Sequence, residues 1–240
     1  MDRQHRRDLR HDKFVDEIGS LSSRARDNQR LLYLIAGGAV VLAVLIYGIF
    51  FYRSNREQKA QQDLSTAIDT IESPLIPAAG SQPVQPVPNA KFKTEAERTT
   101  AAEKQFRAVT SNYSGTDASE VASLYLARIQ AGKGDVAGAR TLLQEFVNRN
   151  PKHLLVNGAR YSLYQIRIDN GEAPQVAQEL QAEISKSEPS LPADSLLSLL
   201  AHDFEVQGNP EKTKETYRRI VTEFPDSPYA LEAQRKIGPA

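Results

Sequence analysis

The 240-residue sequence predicts an all-α protein in which a single N-terminal transmembrane helix is followed by an α-solenoid of helical repeats. Two observations predict this fold class. Residues 31–52 form an apolar run without a charged side chain, and farther along the chain glycines at a constant interval separate helical patterns. Such an alternation is typical of stacked two-helix units.

The apolar run reads LLYLIAGGAVVLAVLIYGIFFY. As a helix it reaches about 33 Å, enough for a hydrocarbon core of about 30 Å. A cleavable signal peptide is the alternative, but its apolar stretch is shorter and ends in small residues. Here the run follows a 30-residue head and ends in aromatic residues before Arg53, which favours an uncleaved anchor.

Charge gives the expected orientation. The chain has no net charge, whereas residues 1–30 hold eight basic and six acidic side chains. Lys and Arg favour the cytoplasmic side of a membrane helix. We therefore expect an inner (plasma) membrane protein with a cytoplasmic N-terminus and a periplasmic C-terminal domain. A cytoplasmic body that recruits soluble partners is the alternative.

Three segments flank the anchor. In the head (1–30), apolar residues at helical spacing predict an amphipathic helix on the lipid surface, with a partly disordered basic tail as the alternative. Residues 53–72 are polar and helix-forming, and predict a stalk that continues the anchor. Residues 73–93 contain five prolines and predict an extended spacer, or less simply a ligand for a PxxP-reading domain.

The repeats lie in residues 94–240. Gly134, Gly171 and Gly208 recur at a constant interval, and a proline follows each of them at a nearly constant distance. Glycine accepts the left-handed geometry that ends a helix, and proline cannot continue one. Each unit therefore reads as helix, glycine turn, helix and proline-marked turn. Apolar positions recur with the same period, as in Leu126, Leu163 and Leu200.

These units resemble tetratricopeptide repeats. The family's core pattern is matched best in the third unit, by Leu200, Ala201, Phe204, Tyr217 and Pro225. The middle unit departs from it, with Tyr164 at a usually small position, and a helix from about Ser227 is expected to cap the stack. The resemblance is specific for the fold rather than for a function.

The layout as a whole resembles the YfgM-like family, whose type member is an ancillary subunit of the SecYEG translocon. The features that carry the resemblance are a charged head with DKFVDEI (12–18), one anchor, a polar stalk and a small repeat domain. The resemblance implies partners among the SecYEG translocon, periplasmic chaperones and exported chains. It also implies that the stalk supplies part of the first repeat. A scaffold for an envelope assembly or cell-division complex is the alternative function.

Little in the sequence indicates catalysis. There is no cysteine, and the four histidines lack metal-binding spacing. GKGDVAG around Gly134 follows a helix and lacks the GK[ST] of a phosphate loop, so a repeat turn explains it better. Asp203 and Glu205 read as solvated surface. We expect no enzyme, cofactor, metal, small-molecule substrate or nucleic-acid partner.

Binding is the expected function. Repeat arrays present a concave surface built from the first helix of each unit. The groove positions implied by the resemblance are Leu124, Arg128, Tyr161, Gln165, Ser198 and His202. Without the Lys and Asn of a carboxylate clamp, they favour an extended apolar or aromatic-containing segment over an acidic tail. Alternatively, they pack against the neighbouring stalk helix or face solvent.

Overall fold

A computed structural model describes residues 29–77 and 87–238. The predicted amphipathic helix of the head lies outside these residues. The described part is built from helices, which confirms the all-α fold class. In chain order they are α1 (Gln29–Glu72), α2 (Glu95–Asn112), α3 (Asp117–Gly132), α4 (Val136–Arg149), α5 (Val156–Arg167), α6 (Ala173–Ile184), α7 (Ala193–Val206), α8 (Pro210–Glu223) and α9 (Ala230–Ile237).

Helix α1 contains both the apolar run and the polar segment after it. Its apolar side chains are exposed over the run, as for Leu42 at 58% and Phe50 at 70%. Among the described residues, α1 is the one helix long and apolar enough to cross a membrane. The chain divides into two units within this helix, one ending at Arg56 and the other beginning at Glu57.

The second part of α1 is the first helix of the first repeat unit. Ala60, Leu64 and Ala67 are buried in one cluster with Ala102 and Phe106 of α2. Ala118, Ala122, Leu126 and Ile129 of α3 complete this cluster. Residues 57–72 and α2 therefore form a two-helix unit that packs on α3, as the family resemblance implies.

The two ends of the connection between α1 and α2 are bonded to each other. Leu75 and Phe92 pair as an isolated parallel bridge, and the Ile76 amide donates to the Phe92 carbonyl at 2.8 Å. Arg98 Nη1 donates to the Ser73 carbonyl at 2.8 Å. The prolines therefore do not separate α1 from its partner helix, because the two ends of the connection are tied together.

The remaining units follow the predicted order of helix, glycine turn and helix, as α3–α4, α5–α6 and α7–α8. Gly134, Gly171 and Gly208 have φ of 83°, 92° and 70°, which confirms the predicted left-handed turns. The α5–α6 unit is irregular, because Ile168–Glu172 forms a kinked π-type turn between its two helices. Arg167 braces this turn by donating to Glu172 at 2.9 Å and to Glu179 at 2.7 Å.

Side-chain hydrogen bonds tie each turn between units, or the helix start that follows it, to the preceding first helix. The Glu57 carboxylate accepts from the amides of Asp117 and Ala118 at 2.9 and 3.1 Å. In the later units the corresponding pairs are His153 Nε2 with Asp117 Oδ1 at 2.9 Å, Arg160 Nη1 with the Ser190 carbonyl at 3.0 Å, and Ser227 Oγ with Asp194 Oδ2 at 2.7 Å. These side chains fix the register between consecutive units.

Helix α9 closes the C-terminal end of the stack. It begins at Ala230, three residues later than the predicted start near Ser227. Ala233 is buried with Leu197 and Ala201 of α7 and with Tyr217 and Ile220 of α8. The helix therefore covers the last apolar face, as expected of a cap.

Candidate functional site

The six predicted groove residues lie on three first helices of the stack, in pairs one helical turn apart. Leu124 and Arg128 are on α3, Tyr161 and Gln165 on α5, and Ser198 and His202 on α7. Residues four apart share a helix face. The structure then divides the six into two groups with different surroundings.

Leu124, Arg128 and Gln165 line one cavity of about 460 Å³ between α3 and α5. Apolar groups form most of its wall, including Ala127, Leu155 and Ile166, and Asp169 contributes from the kinked turn after α5. The cavity is concave and apolar with a few polar groups at fixed positions, which is the usual composition of a binding site. Half of the predicted groove residues are therefore brought together here.

Tyr161 and Ser198 are occupied by contacts within the stack. The Tyr161 ring stacks on Tyr229 beside α9, with centroids 6.0 Å apart and planes at 11°. The Tyr161 hydroxyl and Ser198 Oγ lie 3.3 Å apart. Burial raises the pKa of the Tyr161 hydroxyl, so this side chain stays neutral. These two side chains therefore pack within the C-terminal part of the stack, which neither the groove prediction nor the stalk-helix alternative describes.

His202 does not line the cavity itself, but it contacts one of the residues that do. Its Nε2 lies 2.7 Å from Asp169 Oδ1, and Asp169 is part of the cavity wall. Glu205, on the same helix as His202, accepts from Lys236 Nζ of α9 at 2.8 Å. His202 thus positions an acidic wall residue and connects α7 to the kinked turn after α5.

A second cavity, which the sequence reading did not identify, lies between the end of α1, the start of α2 and α3. It has a volume of about 740 Å³, and Ile71, Arg98, Tyr125 and Arg128 are among its lining residues. The groove positions implied by the family resemblance begin on α3, so they do not include the residues of this cavity on α1 and α2. The apolar stripe of Ala60, Leu64, Ala67, Ile68 and Ile71 was the signal that α1 forms an additional first helix.

Arg128 lines both cavities and is the exposed cation between them. Its guanidinium has no hydrogen-bond or ion-pair partner among the described residues. The other cations of the second cavity are engaged. Lys133 pairs with Glu103, which lowers the pKa of that carboxyl, and Arg98 lies 3.7 Å from Glu95. Arg98 Nε is nevertheless buried without a partner in the described structure.

Asp203 contradicts the sequence reading. Instead of forming solvated surface, its side chain is fully buried on α7. One oxygen accepts from Gln207 Nε2, and Oδ2 has no partner among the described residues. Burial raises the pKa of this carboxyl. Sequence reasoning failed because Asp203 and Glu205 were read as a pair, whereas Asp203 follows the buried positions Leu196, Leu199 and Leu200 at helical spacing.

Within the described ranges, no three His, Asp or Glu side chains are placed so that they could hold a metal ion. His153 and His202 each pair with an aspartate instead. The site offers a concave shape, apolar surface and, among the described residues, the unpaired cation Arg128. These properties suit binding.

Comparisons with known proteins agree with the helical repeats. A family model described as a tetratricopeptide repeat-like domain matches residues 29–194, and one described as a tetratricopeptide repeat matches residues 200–227. No curated protein matches the sequence.

Two crystal structures of nearly identical repeats from a candidate kinesin light chain of Podosopora anserina are similar in fold, one of them a point variant. They share 16% and 15% identity with this chain, at TM-scores of 0.47 and 0.48. In each case the match covers 75% of this chain and 84% of the other.

Proposed function

The chain belongs to the tetratricopeptide repeat-like domain family, whose repeats generally mediate protein–protein interaction, and we propose that it is a membrane-anchored protein-binding module. The proposed binding site is the groove along α1, α3 and α5. The observation that carries the proposal is the pair of cavities on either side of α3, which share Arg128. An extended segment is the natural ligand, because side chains on its inner face can enter successive cavities.

The anchor is the apolar run of α1, which would place residues 31–52 in the lipid bilayer. The excess of Lys and Arg in the head supports a cytoplasmic N-terminus and a periplasmic body. The proposed organisation is a cytoplasmic head (1–30), a transmembrane helix (31–52), a helical stalk (53–72), a proline-rich linker (73–93) and a repeat domain (94–240). In this organisation the stalk also serves the repeats, since residues from Glu57 onward belong to the same structural unit as α2 and α3.

The proposed partners are the SecYEG translocon, periplasmic chaperones and exported chains. This part of the proposal is supported by the YfgM-like layout of head, anchor, stalk and repeats. The translocon brings unfolded chains to the membrane, and an anchored groove for extended segments is suited to meet them there.

Photo-crosslinking in intact membranes tests the proposal. A photoreactive amino acid at Gln165, in the wall of the cavity between α3 and α5, should capture translocon subunits, periplasmic chaperones or exported chains. The same probe at Lys104, exposed on α2 and outside both cavities, is the control. Equal capture at the two positions would contradict groove binding. A stoichiometric complex that lacks the translocon would favour a scaffold for an envelope assembly.

Protease treatment tests the orientation. In inverted inner-membrane vesicles, residues 94–240 should be protected if the body is periplasmic. Complete digestion would instead place the body in the cytoplasm, where it would recruit soluble partners.

A further inference from the structure

Resting on the proposed function, we infer that the groove selects extended segments in which a single acidic residue is flanked by apolar residues two positions away on each side. The carboxylate pairs with Arg128, and the two apolar side chains enter the cavities on either side of α3. The ligand class is thus an apolar segment with one central acid. It is neither purely apolar nor a polyacidic tail.

Charge complementarity places the acid at the centre. Arg128 is exposed and has no partner among the described residues, although it lines both cavities. A guanidinium in this state gains most from a carboxylate, because the resulting hydrogen bonds are charge-assisted and can be bidentate.

The outer walls disfavour additional acids. Glu72 and Glu95 line the second cavity, and Asp169 lines the first. Arg98 and Lys133 also line the second cavity, but they pair with Glu95 and Glu103. Among the described wall residues, Arg128 is therefore the cation that is free to pair with a ligand. A segment with three acids would bring two carboxylates that find no free cation among the described wall residues, and one of them would approach Glu72. The wall charges therefore select one central acid.

The spacing follows from helix and strand dimensions. Packed helices lie about 8–10 Å apart, so the two cavities on either side of α3 are separated by about that distance. An extended chain rises about 3.3 Å per residue, and every second side chain points to the same face. Two apolar residues four positions apart, with the acid midway, span about 13 Å, which is about 3–5 Å more than this separation. Cavities of about 460 and 740 Å³ are wide enough for the two side chains to enter beyond their centres.

The apolar walls determine the flanking residues. Leu124, Leu155 and Ile166 line the first cavity, and Ile71, Tyr125 and Ile129 line the second. Both walls mix aliphatic surface with small or aromatic groups, and an aliphatic side chain of leucine size fits either. Burying such a side chain at each end supplies the affinity that an exposed ion pair alone does not.

Fluorescence anisotropy with the full chain in lipid nanodiscs tests the inference. The probe is an end-blocked, fluorescein-labelled peptide that carries leucine–glycine–glutamate–glycine–leucine between glycine–serine flanks. Two companion peptides carry glutamine or lysine in place of the glutamate. A third carries glutamate at the central position and at both leucine positions. The single-glutamate peptide should bind about tenfold tighter than the lysine peptide, a typical size for one charge-assisted contact.

Two variants make the test specific. Arg128→Glu should reverse the preference, so that the lysine peptide binds tighter than the glutamate peptide. Arg218→Glu alters an exposed arginine on α8, outside both cavities, and should leave the preference unchanged. Both residues are exposed, so the substitutions should not disturb folding.

The outcomes separate the inference from the proposed function. Equal binding of the glutamate and lysine peptides, or an equal change for all peptides in Arg128→Glu, would overturn the acid preference while leaving groove binding intact. Tighter binding of the triple-glutamate peptide would overturn the single-acid rule. Absence of binding by every peptide would also overturn the inference, and crosslinking at Gln165 would then decide the proposed function independently.

Discussion

Replacing Leu64 by alanine should destabilise the first repeat unit, because this side chain joins α1 to the repeats. Leu64 is 4% exposed and lies in one cluster with Ala60, Ala67, Ala102 and Phe106. Three of these four neighbours are alanines on helices, so they cannot extend to fill the space that the substitution leaves. A cavity should therefore persist, and Leu→Ala changes of this kind cost about 3 kcal/mol. That free energy corresponds to a factor of about 150 in the opening equilibrium.

Native-state hydrogen exchange of the full chain in nanodiscs measures this effect. Amides of α2 should exchange about a hundredfold faster in Leu64→Ala, because opening of a repeat array is governed by each unit and its nearest neighbours. Leu42→Ala is the matched control. It makes the same chemical change in the same helix, at a side chain that is 58% exposed in this structure. Equal exchange of α2 in the two variants would refute the assignment of α1 to the first unit.

Three further substitutions test other parts of the structure. Asp203→Leu should raise the free energy of unfolding at pH 7 by about 1–2 kcal/mol, since a buried carboxylate with one oxygen left without a partner is costly. Because burial raises the pKa of Asp203 in the folded state, ionising this buried carboxyl costs folding free energy as the pH rises above about 4. The stability gained by the leucine should therefore vanish in urea titrations below that pH. A gain that does not change with pH would contradict this. Gly171→Ala should cost about 1 kcal/mol in the same titrations, because its φ of 92° is unfavourable for alanine. Gly158→Ala, at an equally uncrowded position inside α5, should be neutral or stabilising. Equal effects of the two substitutions would argue against backbone strain at position 171. Glu57→Ala should cost about 1 kcal/mol and speed exchange of the Asp117 amide, and unchanged exchange would exclude the cap.

Much of the fold could be predicted from the sequence because its signals are periodic and local. Glycines that recur at one constant interval mark turns whose left-handed φ angles few other residues adopt. The alternation of helix and turn follows from them. The kink at Ile168–Glu172 could not be predicted, since it depends on how Arg167 bonds to Glu172 and Glu179 across the turn.

The candidate site was harder to predict because its surroundings are set by distant parts of the chain. Repeat positions place Tyr161 and Ser198 on first helices, but they do not reveal that Tyr229, from beyond the last repeat, stacks on the Tyr161 ring. Predicting the cavity beside α1 required knowing that the two ends of the connection between α1 and α2 pair with each other. Both depend on tertiary contacts, which a reading of positions within one unit does not contain.

The use of α1 as the first helix of the stack has a consequence for the order of folding. Starting a helix is unfavourable, because several residues must be fixed before the first hydrogen bond forms, whereas extending one is not. Residues 57–72 extend a helix that begins at Gln29, so the first repeat needs no separate nucleation event. During synthesis, α2 and then each later unit meet a face that is already formed. Assembly can thus proceed from the N-terminal end toward α9, with little chance of pairing units out of order.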